Sequence, residues 1–418
     1  MRKRVLFLPI GVGLAHTGRL IMIARELRNL NTEVMFGAGS DAVALLKKEN
    51  LPYVGISEFT REIYDKKVKK NNFFVYNRHN FSEFVKDELS VYKKVKADLV
   101  VFDTRISVKV STSIAGIPCV SVVNADATGY YDIEKVDFPV QTTLGRYLPP
   151  EVISLLNKGF GKRFLNQIGN RAVPAMMIAA LIKISPALIK LGYKFKKDPY
   201  QFFMGDLTLL ADIPAFRPIK ALPQNVKLVG PIFWDGGGKL PSWKDKINNN
   251  KEIIYVSASG TGDKETFLAI LKYLKDTGYT VVATTGNTLK PSEVKNKYRN
   301  LFVTDYLPGS FILPRSKLII FPGGNATCYQ ALSYGVVQIC TPFHVDQEDN
   351  ANRLERLQTG LVINPFKNFM RNNFLHAVNK VLHDGLYRRN AAKMKKLILK
   401  YDGKKKAARI IKRYVNSL

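Results

Sequence analysis

A chain of 418 residues, 46% hydrophobic and 23% charged, is globular rather than disordered and long enough for two domains. Its formal net charge of +30 asks for an anionic partner, nucleic acid or a membrane surface, unless a lysine-rich proteome raises charge everywhere. Cys119, Cys328 and Cys340 are an odd, sparse set in apolar contexts, which argues against a disulfide framework and a zinc site and favours the cytoplasm.

The chain opens "MRKRVLFLPIGVGLAH", which imitates a signal peptide. Pro9, Gly11 and Gly13 break the apolar run and an amphipathic helix follows, so "RVLFLPI" reads as a first buried strand. "GRLIMIARELRNL" has helical spacing, "TEVMFGA" is a second strand, and "SDAVALLKKEN" is a helix capped by Ser40 or Asp41. "PYVGI", "ADLVVFD" and "IPCVSVVN" are further strands. Such alternation predicts a parallel sheet with helices on both faces.

Residues Val152 to Lys197 break the pattern and contain no acidic residue. "AVPAMMIAALIKISPALIKLGY" within them reads as one or two short helices with basic flanks, suited to a membrane interface or packed over the first domain. No uninterrupted apolar run reaches about 18 residues, so no membrane span is expected.

Alternation then resumes: "KEIIYVSAS", the helix "DKETFLAILKYLKDT", "YTVVATTG", "NLFVTDYL", "KLIIFPGG", a helix, and "VVQICTPF". The sequence therefore predicts an α/β protein of two doubly wound domains facing a central cleft. Residues 1–225 form the first, with a basic helical insert at about 140–205, and 226–385 form the second. The glycine- and proline-rich "VKLVGPIFWDGGGKLPSW" is the linker. Residues 386–418 are two basic helices broken at Asp402-Gly403.

Four stretches carry chemistry. In "FPGGNATCYQALSYG" two glycines precede a helix that Asn325 can cap and Gly335 can end. Free N–H groups there suit a phosphate, although an ordinary strand-to-helix turn looks the same. "GVGLAHTG" is a glycine turn without an acidic residue after the second strand, which argues against a nicotinamide dehydrogenase. Its His16 is a candidate general base or a structural histidine. Asp103 ends a strand, placed to orient an imidazole or to cap the next helix. Asp346, Gln347, Glu348, Asp349 and Asn350 cluster after a strand near His344, suited to a hydroxyl-rich ligand or to a solvated loop. No D-x-D triplet occurs, so a metal-held sugar diphosphate is not indicated.

Together "GVGLAHTGR", "VVFD", "YVSASGTG", "DYLPGS" and "PGGNATCYQALSYGVVQICTPFHVDQEDNANRL" resemble the GT-B-fold glycosyltransferases, in particular the UDP-glycosyltransferases and macrolide glycosyltransferases of family 1 type. The resemblance is strongest at residues 1–60 and from about Lys251 onward, and weak over about 130–225, where such enzymes hold acceptors. It implies an inverting, metal-independent transfer from a nucleoside-diphosphate sugar, a UDP-sugar being expected, with no other cofactor, and C-terminal helices (386–418) that cross back to the first domain. His16 matches the base and Asp103 the carboxylate that orients it. Thr261 matches a hydroxyl near the donor phosphates, Tyr306 a ring stacked on the base, and Gln330 the place of a ribose-binding glutamate. Gly324, Asn325 and Ala326 would present N–H groups to the diphosphate. Asp346 and Gln347 match the pair that holds the donor sugar. Gly13, Gly323, Thr327 and His344 complete the expected donor-contacting set.

Two positions depart from the family. Pro322 stands where it has a histidine, and Gln330 where it has glutamate. The basic, apolar stretch points to a lipid or other hydrophobic acceptor and to an anionic membrane surface, with no nucleic acid. A non-catalytic relative that binds a nucleotide or lipid is the alternative, and a basic nucleic-acid-binding protein a more distant one.

Overall fold

The computed structural model describes residues 3–68, 75–156, 158–194, 198–236, 240–247, 251–260, 262–295, 298–366 and 369–418. The chain forms two compact units: residues 1–135, 167–234 and 401–418, and residues 136–166 with 235–400.

The first unit holds a seven-stranded sheet. Its strands are β1 (Arg4–Pro9), β2 (Glu33–Ala38), β3 (Tyr53–Gly55), β4 (Leu99–Asp103), β5 (Cys119–Val123), β6 (Leu207–Leu210) and β7 (Val226–Leu228). They pair in parallel in the order β3-β2-β1-β4-β5-β6-β7. Alternation along β1 explains the two covered faces. Val5 and Phe7 pack with Leu20, Ile23 and Leu27 of the helix Leu14–Asn29 and with Ile411 and Val415 of the last helix, Gly403–Asn416. Leu6 and Leu8 face the other way, against Val91, Tyr92 and Val95 of the helix Arg78–Val95.

The second unit holds β8 (Ile253–Ser257), β9 (Thr280–Thr284), β10 (Leu301–Thr304), β11 (Ser316–Phe321), β12 (Val337–Cys340) and β13 (Gly360–Val362). These are parallel in the order β10-β9-β8-β11-β12-β13. Val256, Val281, Ile320 and Ile339 meet Phe267 and Leu271 of one helix and Phe374 and Val378 of another.

Each sheet reverses its strand order once, between β1 and β4 and between β8 and β11. In open parallel sheets, ligands bind beyond the strand ends at such a reversal. The glycine turns and Asp103 lie at these two places.

The observed division differs from the one read in the sequence. Val226–Leu228 pairs with β6, so the first sheet runs past residue 225 and the units divide after Trp234. Residues 136–166 count with the second unit. Of the two basic helices, Gly385–Ile398 packs beside Asn325–Tyr334, and Gly403–Asn416 belongs to the first unit, where it buries Ala407, Ala408, Ile411 and Val415. Pro174 lies inside a continuous helix, Gly159–Ile182, which Ser185–Lys190 follows. Among the described residues no helix is long and apolar enough to cross a membrane.

Candidate active site

At the first reversal, β1 runs into the turn Ile10–Gly13. Gly13 has φ 103°, a backbone conformation that excludes a Cβ at little cost only for glycine, and it precedes the helix that carries His16. β1 and β4 are in register at Pro9 and Asp103, and Ile10 N–H donates to the Asp103 carbonyl. That pairing sets the carboxylate beside the first turn of the helix. His16 Nδ1 lies 2.9 Å from Asp103 Oδ1. The Thr104 hydroxyl donates to the same oxygen at 2.6 Å. Thr104 has φ 60°, a strained position for a β-branched residue, of the kind found at working sites.

Asp103 is buried, and burial pushes its carboxyl up. Arg19, His16 and the Thr104 hydroxyl more than offset that and hold it below the ordinary aspartate value. Arg19 Nη1 lies 3.5 Å from Asp103 Oδ2, and Arg19 Nη2 donates to Asn124 Oδ1 at 2.7 Å. Asn124 donates in turn to Asp212, which pairs with buried Arg217. With Asp103 ionised, the shared proton resides on Nδ1. The imidazole then presents the lone pair of Nε2 as a base. The His16 side chain is 27% exposed, so a substrate hydroxyl can reach it.

A network invisible in the sequence fixes the loop after β4. Arg105, fully buried, donates to Glu88 Oε1 at 2.6 Å, to Glu58 Oε2 at 3.2 Å and to the Ser57 carbonyl at 2.8 Å. Ser107 and Ser111 donate to the two Glu88 oxygens. A Cβ on Gly11 would meet Glu58 Oε2. A carboxylate thus already fills the first glycine turn, which is unsuited to a phosphate there.

At the second reversal, β11 ends at Pro322-Gly323-Gly324 and the helix Asn325–Tyr334 begins. Gly323 has φ 107°, and a Cβ there would stand 2.7 Å from the Gln347 carbonyl oxygen. Its own carbonyl accepts from Asn350 Nδ2 at 3.1 Å, which pins the turn to the helix Val345–Arg356. The expected Asn325 cap is not made: Gly324 is the N-cap and no side chain caps the helix. Residues Gly324 to Thr327 are half-exposed, and the first-turn N–H groups of Ala326 and Thr327 have no intrahelical acceptor. Gly335 ends the helix in the left-handed conformation, as expected.

Neighbouring strand ends build up the same place. Gly262 fits against the Ala258 carbonyl and the Pro322 ring, and Gly286 against the Ser259 carbonyl. Ser259 itself has φ 57°. Thr261 lies outside the described residues.

Along the helix, Gln330 stands one turn beyond Ala326, on the same face. Its Nε2 donates to Asp235 Oδ1 at 3.1 Å, and Ser310 N–H donates to both Asp235 oxygens at 3.1 and 3.2 Å. The Gln330 amide occupies the space a Cβ on Gly309 would need. Tyr306 is beside this group; burial, then the Asp235 charge, pushes its phenol up. Tyr306, Gln330 and Asp235 are therefore brought together, and Asp235 was missed in the sequence. Its signal was a lone aspartate before the glycines of the linker.

The acidic and amide cluster is helical rather than a loop. His344 is its N-cap and is buried. Gln347 is buried and accepts from Phe343 N–H at 2.8 Å through Oε1, while Asp346 is half-exposed in the first turn. Glu348 turns inward to accept from Gln141 and Thr142 N–H at 2.8 and 2.6 Å. Asp346 is therefore the more accessible of the expected sugar-holding pair.

Residues 269–407 match the family model described as "Erythromycin biosynthesis protein CIII-like, C-terminal domain". A PGL/p-HBAD biosynthesis rhamnosyltransferase of Mycobacterium tuberculosis is 29% identical over 398 residues, 94% of this chain and 84% of that protein. The chain is similar to the GT-B glycosyltransferases and has their fold. The fold of this chain is also that of the spinosyn rhamnosyltransferase SpnG complexed with thymidine diphosphate, at TM-score 0.70 and 15% identity over 99% of this chain and 100% of that one. A further relative, an inactive PGL/p-HBAD biosynthesis glycosyltransferase of Mycobacterium bovis, is 26% identical over 277 residues, 65% of this chain and 71% of that one. These likenesses relate the chain to the nucleotide-sugar glycosyltransferases.

Proposed function

We propose that the protein is an inverting glycosyltransferase that moves a deoxyhexose from a thymidine-diphosphate sugar to a hydroxyl of a lipid acceptor. The observation that carries the reading is the His16–Asp103 pair at 2.9 Å, with Asp103 held ionised and Nε2 left to accept a proton. The acceptor O–H gives its proton to His16 Nε2 while its oxygen attacks the anomeric carbon. The bond from that carbon to the diphosphate oxygen breaks, and Asp103 stabilises the imidazolium. The N–H groups at the start of the helix Asn325–Tyr334 take up the leaving charge. Tyr306 stacks on the base, and Gln330 with Asp235 faces the ribose. Gly13 and Gly323 shape the turns, Thr327 and His344 flank the diphosphate, and Asp346 with Gln347 holds the sugar.

The rhamnosyltransferase relative and the thymidine-diphosphate complex support that donor class. The UDP-sugar expected from the sequence is the second donor to test. The basic, acid-free stretch 152–197 supports a lipid acceptor and a place at the inner face of the cytoplasmic membrane. Purified protein would be given thymidine-, uridine- and guanosine-diphosphate sugars with a lipid extract, and released nucleotide diphosphate read. Release that needs both lipid and His16 supports the proposal. Nucleotide binding with no release from any donor overturns it and favours a lapsed relative. Pro322 is the residue that favours that second reading, because it removes a donor next to the diphosphate turn.

A further inference from the structure

We propose that the first unit docks on an anionic lipid bilayer through the outward face of residues 168–190. Ordinary surface helices turn a charged face to water. Here the solvent face is apolar. Ile168, Ala175, Met176, Ile178, Ala179 and Ile182 are all exposed, and Arg171 is the one charged residue between Ile168 and Ile182. Met176 is 67% exposed, Ile182 63% and, on the next helix, Ile189 78%. These positions share one side at helical spacing. The opposite side is fixed: Leu181, Ile184, Ala187 and Leu188 are buried with Phe81, Val110 and Phe202. The segment therefore cannot rotate its apolar side inward without emptying that core.

Charge selects the occupant. Arg171, Lys183, Lys190 and Lys194 are exposed around the apolar face, and no carboxylate occurs from Val152 to Lys197. A second copy of the chain would set these cations against themselves. An anionic headgroup layer complements both features, with cations at the phosphates and the isoleucines and methionine in the acyl boundary. The helix Gly159–Ile182 carries Lys162, Arg163 and Arg171 and is not apolar enough to cross a bilayer, which suits it to lying in the surface.

The proposal does not depend on donor or catalysis, so it is tested without either. The full-length protein would be sedimented with vesicles of equal parts phosphatidylglycerol and phosphatidylcholine, and with phosphatidylcholine alone. Binding to the anionic vesicles only is expected. Arg171→Ala, Lys183→Ala and Lys190→Ala should each weaken it about fivefold. Ile182→Glu should weaken it by at least tenfold, whereas Leu399→Glu, an exposed apolar residue of the second unit, should leave it unchanged. Equal binding of Ile182→Glu and wild type overturns the proposal. So does an absence of vesicle binding, including one accompanied by a dimer that Ile182→Glu dissociates, which would make the face a self-association surface.

Discussion

Arg19 and His16 hold opposite oxygens of Asp103: Nη1 of Arg19 is 3.5 Å from Oδ2, and Nδ1 of His16 is 2.9 Å from Oδ1. The carboxylate is thus clamped between a permanent cation and the candidate base. Its ionised state fixes the imidazole tautomer. Asp103→Asn keeps the shape and loses the charge, so the imidazole is free to adopt the wrong tautomer. A fall in kcat of about 10³ to 10⁴ is expected with circular dichroism unchanged. A fall of less than tenfold would show that Asp103 is only structural.

The same clamp makes stability depend on pH. Asp103 is held below its ordinary value, so it stabilises the fold above the unfolded value of about 4 and loses that contribution as pH falls through the lower folded value. In urea titrations, the stability gap between wild type and Asp103→Asn should be constant above about pH 5 and shrink below about pH 4. A gap that widens in acid would contradict the assignment.

Gln330 donates to Asp235, and this makes the family-like residue unfavourable here. Gln330→Glu would put two carboxylates in contact, one of which must then hold a proton or move away. Nucleotide affinity should fall about tenfold, and Gln330→Glu with Asp235→Asn should recover it. Calorimetric titration with thymidine diphosphate and uridine diphosphate checks both. Tighter binding by the single variant would show that Asp235 does not face the ribose.

Pro322 sits against Gly262, where a histidine would give the diphosphate one more donor. If the helix N-terminus alone carries the leaving charge, Pro322→His should raise kcat by up to about a hundredfold. An unchanged kcat with intact nucleotide binding would show that other groups already serve.

Much of this was legible because parallel sheets write themselves plainly. β1, β4, β8 and β11 are short apolar runs, and the glycine turns that follow two of them mark the strand-order reversals. His16 and Asp103 were each readable as loop or strand-end residues. Their contact was not, since His16 and Asp103 are 87 residues apart and meet through the parallel register of Pro9 with Asp103. Arg105, Glu58 and Glu88 carry no signal in the sequence, because only tertiary packing brings them together as ion pairs. Asp235 hid in a glycine-rich linker. The cluster at Asp346 to Asn350 misled for a related reason: polar residues after a strand suggest a loop, but Gln347, Glu348 and Asn350 are buried because backbone N–H and carbonyl groups pair with them.

The most direct measurement is single-turnover transfer by wild type and His16→Ala from the donor that the panel selects, with nucleotide affinity measured on both proteins. The account predicts equal affinity and a loss of about 10² to 10⁴ in the transfer rate for the variant, its base being absent. Transfer by His16→Ala at the wild-type rate would contradict it.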